Sequence, residues 1–100
     1  METFNQLIQS EGPVLVDFYA DWCGPCKAMD PLIKEVAGML QGKARIVRVN
    51  IDKNQSAPRN YQVTAVPTLI LFRDGKVLWR HPGLIDKKSL LDAIGPFLTR

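Results

Sequence analysis

Apolar positions along the chain switch between helical spacing and near-continuous runs, and the switches outline its elements. Phe4, Leu7 and Ile8 share one helical face. They follow Thr3, which with Gln6 has the spacing of a capping box, and Gly12-Pro13 ends the turn. Val14-Leu15-Val16-Asp17-Phe18-Tyr19 is apolar almost throughout, as in a strand covered on both faces. From about Cys23 to Gln41, the residues Met29, Leu32, Ile33, Val36, Ala37 and Leu40 recur at helical intervals. Pro25 suits the first turn of this helix, where a missing N–H costs nothing. Pro31 lies inside it, removes the bond to the Lys27 carbonyl, and predicts a kink.

The second half repeats the alternation. Arg45 to Ile51 reads as a strand carrying Ile46, Val47, Val49 and Ile51, and a loop follows with a short helix capped by Asn54. Pro67 to Arg73 and Lys76 to His81 form a hairpin, because Asp74-Gly75 supplies positive φ at both turn positions. Asp86 caps a last helix with the face Leu90, Leu91, Ile94, Phe97 and Leu98, whose final turn Gly95-Pro96 should break or bend. The order αβαβαββα predicts an α/β fold. Strand–helix–strand units give a parallel pair with a right-handed crossover, and the hairpin adds antiparallel strands. The expected architecture is a mixed four-stranded sheet with helices on both faces. Only Met1 and Glu2 precede the capping box, so the Arg45 strand is predicted to be a sheet edge. Lys43, Arg45 and Arg48 are charges that discourage pairing there.

Composition narrows the class. One hundred residues make a single domain, residues 1–100, and 46% hydrophobic with 23% charged residues describes an ordinary soluble globular protein. The net charge of +3 raises nucleic acid as a partner, but the thirteen Lys and Arg are scattered and the longest like-charge run is Lys87-Lys88. A mixed, solvated surface with no nucleic-acid partner is the better reading. The N-terminus has neither the basic nor the apolar region of a signal peptide, and Leu69-Ile70-Leu71-Phe72 is far too short to span a bilayer. A cytoplasmic protein without a membrane partner is expected.

The candidate chemistry lies in Trp22-Cys23-Gly24-Pro25-Cys26-Lys27. A bridge across so short a loop would staple nothing, so the pair reads as chemical rather than structural. Residues three apart on a helix have Cβ atoms roughly 5–6 Å apart. A disulfide needs ~4 Å, which a tight first turn can supply. Cys23 falls at the helix N-terminus, where free N–H groups and the helix dipole favour a thiolate, and Lys27 adds a nearby cation. Cys26, one turn inside, is expected to be more buried and protonated. Cys23 would then attack a substrate disulfide, and Cys26 would resolve the mixed disulfide. A zinc site wants four ligands, whereas the chain offers only Cys23, Cys26 and His81. A cluster shared between two chains stays open on this count.

The segment from Val16 to Lys27 closely resembles the active-site segment of the thioredoxin family. Val66-Pro67-Thr68, followed by an apolar strand and Asp74-Gly75, is similar to that family's cis-proline loop and hairpin. Pro31, Asp52 and Gly83 also fall on its pattern, and the resemblance covers about residues 4 to 98. It implies a thioredoxin-like fold and a protein disulfide reductase whose redox group is the Cys23–Cys26 disulfide, with no other cofactor and no metal. Asp17 resembles the buried carboxylate that exchanges protons with Cys26, and a carboxylate inside an apolar strand should indeed have a raised pKa. Pro67 resembles the cis-proline facing the disulfide, although an X–Pro bond taken alone is expected to be trans. Trp22, Gly24, Pro25, Val66 and Gly83 resemble the surface that grips an extended substrate segment. The implied partners are disulfide-containing proteins and a flavin-dependent thioredoxin reductase, with the chain itself a monomer.

Three departures from the pattern matter, and the last two touch the tuning of the site but leave its thiols intact. The family's first strand is missing, Tyr19 stands where well-known bacterial members have a second Trp, and Arg48 stands where many have Lys. An Arg cannot relieve burial by losing its proton, so Arg48 is expected to hold Asp17 more firmly ionised than Lys would, offsetting much of the desolvation. Gly24-Pro25 resembles the dipeptide of reducing members, whereas oxidases and isomerases of the superfamily typically carry His there. A dedicated thiol oxidase or isomerase in an extracytoplasmic space is an alternative that this dipeptide argues against, and a redox-active binding module that lends its gripping face to a partner is another.

Overall fold

A computed structural model describes residues 3–98. The capping box opens α1 (Phe4–Ile8): Thr3 Oγ1 accepts the Gln6 N–H at 3.2 Å, and Gln6 Oε1 accepts the Thr3 N–H at 2.8 Å. The chain then forms β1 (Val14–Tyr19), α2 (Gly24–Leu40), β2 (Arg45–Asn50), α3 (Ser56–Asn60), β3 (Thr68–Arg73), β4 (Lys76–Pro82) and α4 (Lys87–Leu98). One four-stranded sheet has the order β2-β1-β3-β4. Strand β1 is parallel to β2 and antiparallel to β3, and β4 is antiparallel to β3. Among the described residues β2 is an edge, as expected.

The alternation of β1 across the sheet divides the core in two. Val14, Val16 and Phe18 face α1 and α3 and pack with Ile8, Ala57, Ile70 and Phe72. Leu15 faces the other way, into Leu69, Leu71, the α2 residues Met29, Ile33, Val36 and Leu40, and Leu90 and Ile94 of α4. Asp17 shares the parity of Leu15, so the fold places a carboxylate on the α2 side of the sheet. Paired with it in register is Arg48 of β2.

Several local expectations shift for identifiable reasons. Ala37 is exposed, because the buried stripe of α2 needs only Met29, Ile33, Val36 and Leu40 to cover the sheet. Pro31 lies inside α2 as expected, and the helix continues past it to Leu40. Ile51 leaves β2 for a turn, although its N–H still reaches the Tyr19 carbonyl at 2.9 Å. Asn54 caps α3 from one residue further out, accepting the Ala57 N–H at 3.2 Å, while Gln55 holds the N-cap position without a side-chain bond. Gly95-Pro96 does not break α4, which continues to Leu98. Phe97 and Leu98 pack against the core, and Arg73 Nη2 donates to the Phe97 carbonyl, so the end is held from outside.

The hairpin turn fits its sequence closely. Asp74 and Gly75 have φ of 52° and 78°. Their N–H groups donate to Ser10 O at 3.1 Å and Ile8 O at 2.8 Å, tying the turn to the end of α1.

Candidate active site

Strand β1 delivers the chain to the cysteines through the turn Ala20-Asp21-Trp22. The Cys23 N–H bonds back to Ala20 O at 3.2 Å, and Cys23 itself, extended at φ −91° and ψ 106°, is the N-cap of α2. Its Sγ accepts the Cys26 N–H at 3.0 Å, the bond a Ser or Asp oxygen would make at a cap. The two cysteines are joined as a disulfide with a Cα–Cα separation of 5.3 Å, within the range such bonds occupy. They are equally buried, each 4% exposed, so the expected greater burial of Cys26 is not found. Both belong to one small cluster with Ala20, against which Tyr19, Ile51 and Val66 pack. What distinguishes them is the cap: Cys23 receives a backbone N–H on sulfur.

A second loop completes the surface. The Val66–Pro67 bond is cis, and Pro67 is buried. The Pro67 carbonyl accepts the Gly83 N–H at 2.7 Å, bringing Gly83, at φ 87°, beside it. Gly24 and Pro25 are exposed at the start of α2. Trp22 is 69% exposed, with its indole Nε1 donating to Asp52 Oδ2 at 2.9 Å. Val66, which touches the cysteine cluster, links the two loops.

Beneath this surface Asp17 is 2% exposed. Its Oδ2 accepts from Arg48 Nε at 3.4 Å, a long bond, and its buried Oδ1 has no partner. Burial pushes the Asp17 carboxyl above the ordinary range; the charge and hydrogen bond of Arg48 oppose this, and Asp30 reinforces it. The Arg48 contact foreseen from the sequence is present, but desolvation outweighs it. Arg48 gives a shorter bond, 2.8 Å, to Asp30 Oδ1, and its guanidinium lies 4.1 Å from the centre of the Tyr19 ring. The Tyr that replaces the family's Trp thus carries the Arg that replaces its Lys. A cleft of about 190 Å3 beside Cys26 is lined by Tyr19, Asp21, Lys27, Asp30 and Arg48.

Asp30 was not singled out in the sequence. Its signal was the i, i+4 spacing from Cys26, which puts both on one face of α2. Among the described residues, no group of three or more His, Cys, Asp or Glu could hold a metal ion.

The thioredoxin family model matches residues 1–95. The chain belongs to the thioredoxin family. It is 46% identical to a thioredoxin of Rickettsia typhi over 90 residues, covering 90% of this chain and 86% of that one. Against a thioredoxin of Pseudomonas aeruginosa it is 46% identical over 89 residues, covering 88% and 82%. Its fold superposes on a mutant thioredoxin from Halobacterium salinarum with a TM-score of 0.86 and 36% identity, over 99% of this chain and 88% of the other. A member of this family with its cysteine pair at bonding distance is a thiol–disulfide oxidoreductase, and its activity is protein disulfide reduction. Family membership brings disulfide-containing substrates and a reductase that restores the dithiol. Among the described residues, no helix is long and apolar enough to cross a membrane.

Proposed function

We propose that Cys23 is the nucleophile of this reductase, Cys26 the resolving thiol and Asp17 the group that takes and returns the proton of Cys26. The observation that carries the assignment is the cap of α2: the Cys26 N–H points at Cys23 sulfur at 3.0 Å and would stabilise a thiolate there. In the reduced protein, Cys23 thiolate attacks a substrate disulfide and expels one substrate thiolate. Cys26 passes its proton to Asp17 carboxylate, attacks Cys23 sulfur, and expels the second thiolate. Two electrons have then moved to the substrate, and the Cys23–Cys26 disulfide is restored.

In this reading Trp22, Gly24, Pro25, Val66, Pro67 and Gly83 grip an extended segment of substrate, while Lys27 and Arg48 tune the charge. The reductive direction rests on Gly24-Pro25, which lacks a histidine. The cysteine pair is the only redox group required, with no further cofactor or metal. The chain acts as one domain and a monomer in the cytoplasm, passing electrons from a flavin-dependent thioredoxin reductase to proteins.

Reduction of a disulfide-bonded protein by Cys23→Ser and Cys26→Ser variants tests the roles. Cys23→Ser should be inactive, and Cys26→Ser should accumulate a mixed disulfide through Cys23. Faster alkylation of Cys26 than of Cys23 near neutral pH would reverse the assignment.

A further inference from the structure

The Arg48 guanidinium faces two carboxylates of unequal standing. Asp17 is almost wholly buried yet receives only the 3.4 Å contact from Nε. Asp30, with a third of its side chain exposed, takes the 2.8 Å bond from Nη2. Taken alone, the buried acid is the one that needs a charge partner more, since water already solvates the other. The better bond nevertheless goes to the outer carboxylate, and the Tyr19 ring at 4.1 Å fixes the plane of the guanidinium. The other Asp17 oxygen makes no hydrogen bond to the protein.

We propose that Asp30 is a positioning residue for the disulfide-reductase reaction: it anchors Arg48 at the mouth of the cleft and so limits the charge that Arg48 can bring to Asp17. This rests on the reading of Asp17 as the proton carrier. A carboxylate gripped by both guanidinium nitrogens would stay ionised and could not accept the Cys26 proton near neutral pH. Asp30 prevents that grip by competing for the second nitrogen. The direct repulsion of Asp17 by the Asp30 charge acts in the same direction.

The surroundings of Asp17 leave few other charges to account for its behaviour. Strand β2 supplies Arg48, and the facing residue of β3 is the uncharged Leu69. From α2 and the turn before it, Asp30, Lys27 and Asp21 line the cleft with Cys26. In the oxidised protein the two cysteines carry no charge. Arg48 and Asp30 are the charged groups that act on Asp17 itself.

Carbon-detected NMR titration of the Asp17 carboxyl in the oxidised protein tests the proposal. In Asp30→Asn the Asp17 midpoint should fall by roughly one pH unit, the lower end of what an opposite charge in contact achieves. Asp30→Glu, which keeps a carboxylate in reach of Nη2, should restore most of it. In an Arg48→Met background, adding Asp30→Asn should shift the midpoint far less, because the group it positions is gone. An unchanged midpoint in Asp30→Asn would overturn the proposal. So would an equally large fall in the Arg48→Met background, which would leave only a direct field from Asp30. The acidic limb of the turnover profile should follow the titration to lower pH in Asp30→Asn. Separately, undiminished turnover in Asp17→Asn would refute the proton-carrier reading, while the titration would still decide whether Asp30 positions Arg48.

Discussion

Trp22 is tied to Asp52 by an indole N–H bond of 2.9 Å that spans the surface beside the disulfide. The ring is otherwise largely in water, so this bond is what fixes its orientation next to Cys23. Asp52→Ala should release it. The Nε1 resonance of Trp22 is expected to move toward that of a free indole, with a stability loss of at most about 1 kcal/mol because the pair is exposed. KM for a protein disulfide should rise several-fold while alkylation of Cys23 stays unchanged. An unshifted indole resonance would show that the ring is held by something else.

Burial of Asp17 makes stability fall as pH rises. Its native pKa lies above the unfolded value of about 3.9, so the native state holds the extra proton between those two pH values. Stability is lost across that window and stays lost above it. Asp17→Asn escapes this loss, so its stability relative to the wild type should rise with pH, by on the order of 1–3 kcal/mol for a buried group without full hydrogen bonding. Urea midpoints measured from about pH 3 to about pH 8 check the sign, and a difference between the two proteins that stays constant with pH would contradict it.

Arg48→Lys should raise the Asp17 pKa. A single ammonium cannot reach Asp17 and Asp30 while lying flat on Tyr19, and the exposed Asp30 leaves it the better solvated position. The carboxyl titration should move upward, and with it the pH dependence of turnover. No movement would mean that the Arg48 contact contributes nothing to the site.

Two glycines beside the disulfide should respond in opposite ways. Gly83 has φ of 87° with nothing within 4 Å of an added Cβ, so Gly83→Ala is strained by the backbone alone. A cost of roughly 1–2 kcal/mol is expected, together with weaker substrate binding. Gly24 has an ordinary φ and equally open space, and Ala is the better helix former. Gly24→Ala should fold at least as stably, so any loss of turnover there reports on substrate contact. Thermal melts of both variants, set beside KM, separate the two cases.

The fold was legible because its signals are local and agree with one another. The capping box, the continuous apolar run of β1 and Asp74-Gly75 each name one conformation, and every one is found. Proline was harder to read. Pro96 weakens a single turn, and the packing of Phe97 and Leu98 decides the outcome, which no local rule contains. Within the site, Cys23 and Cys26 stood out by type and spacing, and Asp17 through the family resemblance, with its place in an apolar strand agreeing. Arg48 was found only through a family position, and Asp30 was missed because an acid on a helix is usually a solvated one. Its importance comes from Arg48 crossing from β2 to α2, a tertiary fact. The equal burial of the cysteines was also illegible, since residues of the loops packed around the pair, Ile51 and Val66, contribute to it as well as helix position.

The bonds from Asp74 and Gly75 to the end of α1 set the two ends of the sheet apart. Phe18 pairs with Thr68 at one end and Val14 with Phe72 at the other, so the disulfide, Pro67 and Gly83 all lie opposite the hairpin turn. The far end is sealed by main-chain bonds that no redox event touches. The near end carries the indole bond of Trp22, the Pro67–Gly83 main-chain bond and the cysteine pair, whose S–S bond breaks in every cycle. The molecule is a vice with a fixed jaw and a working jaw: the bond that changes in each cycle lies at one end of the sheet, and the hairpin turn at the other end takes no part in it.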